Sequence, residues 1–310
     1  MENVTCPLCR GRDFQTLADT DRYDMGIVTV GCLDCGLVMT NPQPTEGELG
    51  DFYEHYYRRY YQKTDTPSVD YIREYRKDER AAYTAAFMQR QGVLHERMRV
   101  LDIGASEGCV LKAVRDLVPS AVLVAVEPNP LFGSFAVSHA GCTLHPCLDG
   151  LRAAGENAFD LIVINHVYEH VKEPVVFLRQ LAGLLAPGGG IYIDVPDVSE
   201  YTGLESLHVA HLYHFGATTL RRAACLAGYA VRILEKHRPV MHPRSLRCLL
   251  HAGDMDTAAG RLAAREGWAE VMLAQRRAAR YHRKRWSLWR RLRHVVQGGR
   301  PKTARWTVKA

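Results

Sequence analysis

No apolar run in the chain approaches the ~20 residues needed to cross a bilayer as a helix. The first residues, "MENVTCPLC", also lack the basic and apolar stretches of a secretory leader. A cytoplasmic protein is therefore expected, and in that compartment disulfides are a poor use for nine cysteines. No internal repeat is present, which excludes solenoids and propellers. Acidic residues are missing altogether from positions 276–310, where 13 Lys and Arg fall. The other 275 residues then carry 27 basic and 34 acidic side chains, so the formal charge of +6 belongs to the tail alone. A nucleic-acid partner cannot be argued from the overall charge.

What is present divides into four regions: a cysteine module over 1–45, a helical Tyr-rich linker or lid over 46–97, an alternating region over 98–251, and a basic helical extension over 252–310. In the third, "RVLDIG", "AVLVAVEP", "FDLIVIN" and "GIYIDVPD" are short apolar runs suited to parallel strands buried on both faces. Helix-period segments, 107–117 and 173–185, lie between them, and "APGGG" reads as a helix stop with a tight turn. The alternation predicts an α/β fold, a Rossmann-like sheet with helices on both faces.

"VLDIGASEG" sets Asp102, Gly104 and Gly108 between a strand and a helix start, where backbone can approach an anionic ligand. The next strand ends in Glu127, a carboxylate able to accept both hydroxyls of a ribose. These motifs, with "FDLIVINHVYEHV" and "LAPGGGIYIDVPD", resemble the class I S-adenosylmethionine-dependent methyltransferases. The resemblance implies that Asp102, Gly104, Ala105 and Gly108 hold the methionine side of that cofactor, with Asn165 and His166 bordering it. It also implies that Glu127 binds the ribose and that Asp149, in "CLDGL", reaches the adenine amine.

Cys6, Cys9, Cys32 and Cys35 form C-x2-C-x22-C-x2-C, a spacing that fits tetrahedral thiolate coordination of a structural Zn2+. Such a module ahead of this core resembles bacterial sugar and surface-polysaccharide methyltransferases, which implies O-methylation of a sugar, nucleotide-sugar or lipid-linked glycan. Two alternatives stand beside it: a zinc-ribbon methyltransferase of ribosomal RNA, and a non-catalytic scaffold.

"HVYEH", His166 to His170, spells the H-x-x-E-H of zinc proteases, but that chemistry needs a continuous helix. Here a buried strand precedes it, so His166, Glu169 and His170 are expected at the sheet edge beside the methyl donor, as candidate bases for the acceptor hydroxyl. The string is similar to the E-x-x-E-H of quinone O-methyltransferases and small-RNA methyltransferases. That likeness implies a second divalent ion, with His214 of "HVAHLYHF" completing the ligands. A metal-free His base and a structural role for Glu169 and His170 stay open.

In "DFYEHYYRRYY", helical spacing groups Tyr53, Tyr57 and Tyr60, with Tyr56 beside them. In the tail, Leu288, Trp289, Leu292, Val295 and Val296 share one arc of a helix over 283–296 that is otherwise basic. An anionic membrane surface is the partner this pattern suggests, with a docked helix or a disordered tail as the other readings and nucleic acid behind them.

Overall fold

A computed structural model describes residues 1–252 apart from Asp24. The basic segment 283–296 lies outside the described residues. In chain order the elements are β1 (Phe14–Ala18), β2 (Thr29–Cys32), β3 (Val38–Thr40), α1 (Glu46–His55), α2 (Val69–Glu74), α3 (Lys77–Arg90), β4 (Arg99–Ile103) and α4 (Cys109–Leu117). They continue with β5 (Val122–Val126), α5 (Pro130–Ala140), β6 (Thr143–His145), α6 (Leu148–Ala153), β7 (Phe159–Asn165) and α7 (Pro174–Leu181). The last are β8 (Leu185–Pro196), β9 (Tyr213–His214), α8 (Ala217–Ala227), β10 (Tyr229–His237) and β11 (Ser245–Ala252).

The seven-stranded sheet has the order β10-β11-β8-β7-β4-β5-β6. Its strands are parallel except β11, which runs antiparallel to both β8 and β10. Alternate residues feed two cores. Leu101, Ile103, Ile162 and Ile164 face α7 and α8, while Val100, Leu161 and Val163 face α3, α4 and α5. Burial on both faces explains why these strands read as continuous apolar runs. Each fully buried Ile or Val among them contributes about 1.5–3 kcal/mol relative to exposure. The expected Rossmann-like architecture is therefore present.

The chain moves outward from β4 through β5 to β6, then returns to the other side of β4 as β7. That reversal opens a crevice at the carboxyl ends of β4 and β7, the place where such sheets bind ligands. Local chemistry fixes the entries to it. Asn129 caps α5 by accepting from Leu131 N and Phe132 N, with Pro130 at the first helical position. Thr45 and Glu48 form a reciprocal capping box on α1. The helix expected over 173–185 is shorter: α7 stops at Leu181, and Leu185 already pairs with Phe159 as β8 begins.

The cysteine module is a second sheet, β1-β2-β3-β9. Its last strand comes from the far part of the chain: Val38 pairs with His214 and Met39 with Tyr213. Leu8, Leu37 and Met39 share a core with Leu101 and Ile162, so the two sheets are packed together.

Candidate active site and ligand clusters

The crevice contains a cavity of about 940 Å3. Asp102, Gly104, Ala105 and Glu127 line one end, and Asn165 and His166 border it. Gly104 has φ of +74°, and a Cβ there would stand 2.5 Å from Val167 Cγ2, so only glycine fits without displacement. Glu127 Oε2 accepts from Ser106 N at 3.0 Å, and Oε1 from Asn129 N at 2.9 Å. Burial raises the Glu127 carboxyl above its usual range, against the opposing effect of Arg58. Asp102 is buried on β4 and has no side-chain hydrogen bond among the described residues. Burial, with the nearby Glu127 charge, pushes it up to about 8.

Two expected cofactor residues are not in the cavity lining. Asp149 is 93 % exposed in the first turn of α6 and pairs with Arg152 at 3.0 Å. Gly108 does not line the cavity. A Cβ there would meet Ala136 at 3.0 Å, so its task is the close packing of α4 on α5.

Linker residues form another wall of the cavity. Arg58 donates to Glu127 Oε1 at 2.8 Å and lies 3.5 Å over the Phe132 ring. Tyr53, Tyr57 and Tyr61 line the wall beside it, with ring centroids 5.0 Å and 5.6 Å apart. Tyr60, expected on this face, is 48 % exposed instead. A π-helical turn, Arg58–Gln62, advances fewer degrees per residue than an α-helix and so rotates Tyr61 inward.

The H-x-x-E-H string is not a helix. β7 ends at Asn165, His166 has φ of +55°, and Tyr168–His170 forms one 3-10 turn. A non-glycine residue in that backbone region is strained, a state that clusters at functional sites. The His166 ring lies between two carboxylates, Nδ1 3.4 Å from Glu169 and Nε2 3.6 Å from Asp194. Burial opposes its charged form, but Glu169 and Asp194 outweigh that and raise its pKa.

Glu169 is 1 % exposed, and among the described residues neither of its oxygens accepts a hydrogen bond, though His166 Nδ1 and His211 Nε2 stand 3.4 Å and 3.7 Å from Oε1. Ligand atoms of Glu169, His170 and His211 lie within 4.8 Å of one another. His170 Nδ1 sits 2.6 Å from Ala210 O; a carbonyl only accepts, so Nδ1 carries the proton and Nε2 keeps a lone pair. Burial lowers the pKa of His170 and His211, which favours the neutral, ligating form. His214, expected in this set, is instead hydrogen-bonded through Nδ1 to Tyr201 at 3.1 Å, and His211 takes its place. The reason is tertiary: β3 grips this segment, Thr40 N donating to Leu212 O at 2.9 Å and Thr40 Oγ1 to His211 O at 3.1 Å. His214 is paired with Val38 across the small sheet, and its ring is held by Tyr201.

In the cysteine module all four Sγ atoms lie within 4.8 Å of one another, with Cys6–Cys35 and Cys9–Cys32 at 3.4 Å. A tetrahedral zinc–thiolate site has S···S edges of about 3.8 Å, so the donors and their spacing fit that ion. Each pair is followed by a left-handed residue, Arg10 at φ +62° and Gly36 at +78°, which turns the chain around the cluster. The contact with Cys32 and burial push the Cys35 thiol up to about 12. Four thiols so crowded ionise together only around a cation.

Comparisons with known proteins agree with this geometry. The family model described as "Methyltransferase domain" matches residues 72–253, more than half of the chain. A ubiquinone biosynthesis O-methyltransferase of Parvibaculum lavamentivorans is 35% identical over 102 residues, covering 32% of this chain and 40% of that protein. A trans-aconitate 2-methyltransferase of Methylobacterium radiotolerans is 26% identical over 121 residues, 39% of this chain and 46% of that one. The chain thus spans less than half the length of either relative. Among solved structures, the plantazolicin methyltransferase BamL, in complex with a triazolic desmethylPZN analog and SAH, superposes with a TM-score of 0.51. Its identity is 14%, over 66% of this chain and 94% of that one, which is a likeness of fold. With the family match over more than half its length and the switch-point cavity where the sequence pattern puts it, the chain belongs to the methyltransferase-domain family.

Proposed function

We propose that the protein is an S-adenosylmethionine-dependent O-methyltransferase acting on a ring-bearing small molecule. The observation that carries this reading is the joining of two walls in one cavity: Asp102, Gly104 and Glu127 on one side, and Tyr53, Tyr57 and Tyr61 on the other. Glu127 would hold the ribose hydroxyls and Gly104 the close approach of the methionine side. The bound cofactor supplies an electrophilic methyl group; the protein's task is alignment of the acceptor with it. The tyrosine wall offers flat faces to an aromatic or sugar ring. His166 borders the acceptor's position, and with a carboxylate facing each ring nitrogen it would hold positive charge there beside the reacting centre. The relatives are named for ubiquinone biosynthesis and trans-aconitate, so a sugar or glycan acceptor rests on the N-terminal resemblance alone.

A second element of the reading concerns metals. The cysteine cluster is proposed to hold a structural Zn2+, with no open position. The buried Glu169 carboxylate, which accepts no hydrogen bond among the described residues, supports a divalent ion held with His170 and His211. Such an ion would polarise the acceptor oxygen. The Nδ1–H of His170, donated to Ala210 O, fixes the ring for that role. The test is calorimetric titration with S-adenosylhomocysteine, then methyl-transfer assays on panels of phenols, sugars and polycarboxylic acids. Absence of binding by the full chain sinks the cofactor assignment; binding with transfer only to RNA would replace the acceptor class.

A further inference from the structure

Asp78, Cys109 and His139 come from three different helices and meet apart from the two clusters described above. Asp78 stands in the first turn of α3, Cys109 opens α4, and His139 lies in the last turn of α5. Gly108 sets the packing that joins them, because its lack of a Cβ lets α4 come close to Ala136. His139 follows Ala136 by three residues along α5, so the same contact carries its ring toward Cys109. One donor atom from each of the three residues lies within 4.8 Å of the other two, and His139 Nε2 is 3.4 Å from Asp78 Oδ1. Cys109 is buried and His139 keeps 13 % of its side chain exposed, whereas Asp78 faces solvent.

His139 Nε2 is shut off from water, yet it makes no hydrogen bond among the described residues. Burial, then the charges of Glu107 and Asp78, raise the Cys109 thiol. A thiol held protonated is a poor nucleophile, which argues against a catalytic cysteine. A metal cation reverses that balance: sulfur binds as the thiolate and its proton leaves to solvent. Sulfur, imidazole nitrogen and carboxylate oxygen together suit a transition-metal dication such as Zn2+, whereas Mg2+ and Ca2+ take oxygen ligands. Bonds of about 2.0–2.3 Å put the donors of a tetrahedral ion roughly 3.3–3.8 Å apart, so the set closes with a shift of about 1 Å. We infer that Asp78, Cys109 and His139 form a binding site for a transition-metal dication that ties α3 and α5 to α4. Water takes the fourth position. Cys109 and Glu107 also line the cavity, so the ion braces that wall from behind.

The experiment titrates Co2+ into the full-length protein and into Cys109→Ser, His139→Gln and Asp78→Asn, reading bound metal by elemental analysis and the thiolate-to-cobalt absorption band. The comparison with Cys109→Ser removes whatever the cysteine quartet contributes, since that cluster is the same in both proteins. The wild type should take up one more Co2+ per chain than Cys109→Ser, with a stronger band. His139→Gln should weaken that ion by about 100-fold or more, beyond the 10- to 100-fold typical of a group that only supports a ligand. Asp78→Asn, at an exposed position that leaves the fold intact, should weaken it by about 10-fold or more. Glu169→Gln should leave it in place, which separates this site from the Glu169 cluster. The inference is overturned if Cys109→Ser matches the wild type in both metal content and band. It is also overturned if the extra ion brings no thiolate absorption, or if His139→Gln and Asp78→Asn hold it as tightly as the wild type.

Discussion

The cysteine cluster and the Glu169–His170–His211 cluster are both groups of metal-competent side chains, and they are built on opposite principles. The first is made of two local turns, each closed by a left-handed residue, and its four like donors surround one point. The second joins a 3-10 turn after β7 to a loop before β9 and mixes a carboxylate with imidazoles. The first suits a closed structural site; the second leaves Glu169 without a hydrogen bond among the described residues, near the cavity. The two are also joined by hydrogen bonds. β3, beside the cysteine-bearing β2, hydrogen-bonds the segment that carries His211.

The largest effect should come from breaking the closed cluster. Cys32→Ser is expected to lose one zinc per chain by elemental analysis and several kcal/mol of unfolding free energy. Because β3 would lose its anchor, transfer activity should fall with it. A zinc-free full-length protein that melts at the same temperature as the zinc-loaded one would refute the structural role.

On the cavity side, Glu127→Ala should weaken S-adenosylhomocysteine by roughly 100-fold, two charge-assisted hydrogen bonds being lost, while zinc content stays at the wild-type level. Parallel loss of zinc would show that the two regions cannot be separated.

A smaller effect concerns pH. Asp102 has a folded pKa of about 8, above the ~3.9 of an unfolded aspartate. Its protonated form is favoured in the fold, so its contribution is complete below pH ~4 and is lost as pH rises toward 8, at up to about 1.4 kcal/mol per pH unit. Asp102→Asn should flatten that slope in urea unfolding measured between pH 5 and pH 8; an unchanged slope would place the titrating group elsewhere.

The smallest change is expected at Glu169. Without added metal, Glu169→Gln should change stability by less than about 1 kcal/mol, because a buried charge is removed and His166 and His211 lose a weak partner together. With Mn2+ present the wild type should gain stability that the variant lacks, and the variant's activity should drop while its zinc is retained. Equal melting temperatures with and without Mn2+ in both proteins would dismiss the open site.

Features carried by consecutive residues were legible in advance. The four parallel strands, the Gly104 turn, Glu127 and the cysteine quartet depend on periodicity or short spacing, and all lie where those patterns imply. Asp149 and Gly108 show the limit. Both have the right residue type near the right motif, but exposure in one case and helix packing in the other gave them different work. Arg58 and Asp194 lie within the tyrosine stretch and the β8 run, but no spacing there marks either for the site.

By itself, then, the sequence determined the sheet, the strand-to-helix ligand turn and the existence of a thiolate cluster, because burial period and backbone freedom are local properties. Tertiary structure alone decided that His211 rather than His214 meets Glu169, and that Tyr61 rather than Tyr60 enters the cavity. Each outcome depends on which surfaces meet across more than a hundred residues of chain or on one wide helical turn, and neither is written in the spacing of neighbouring side chains.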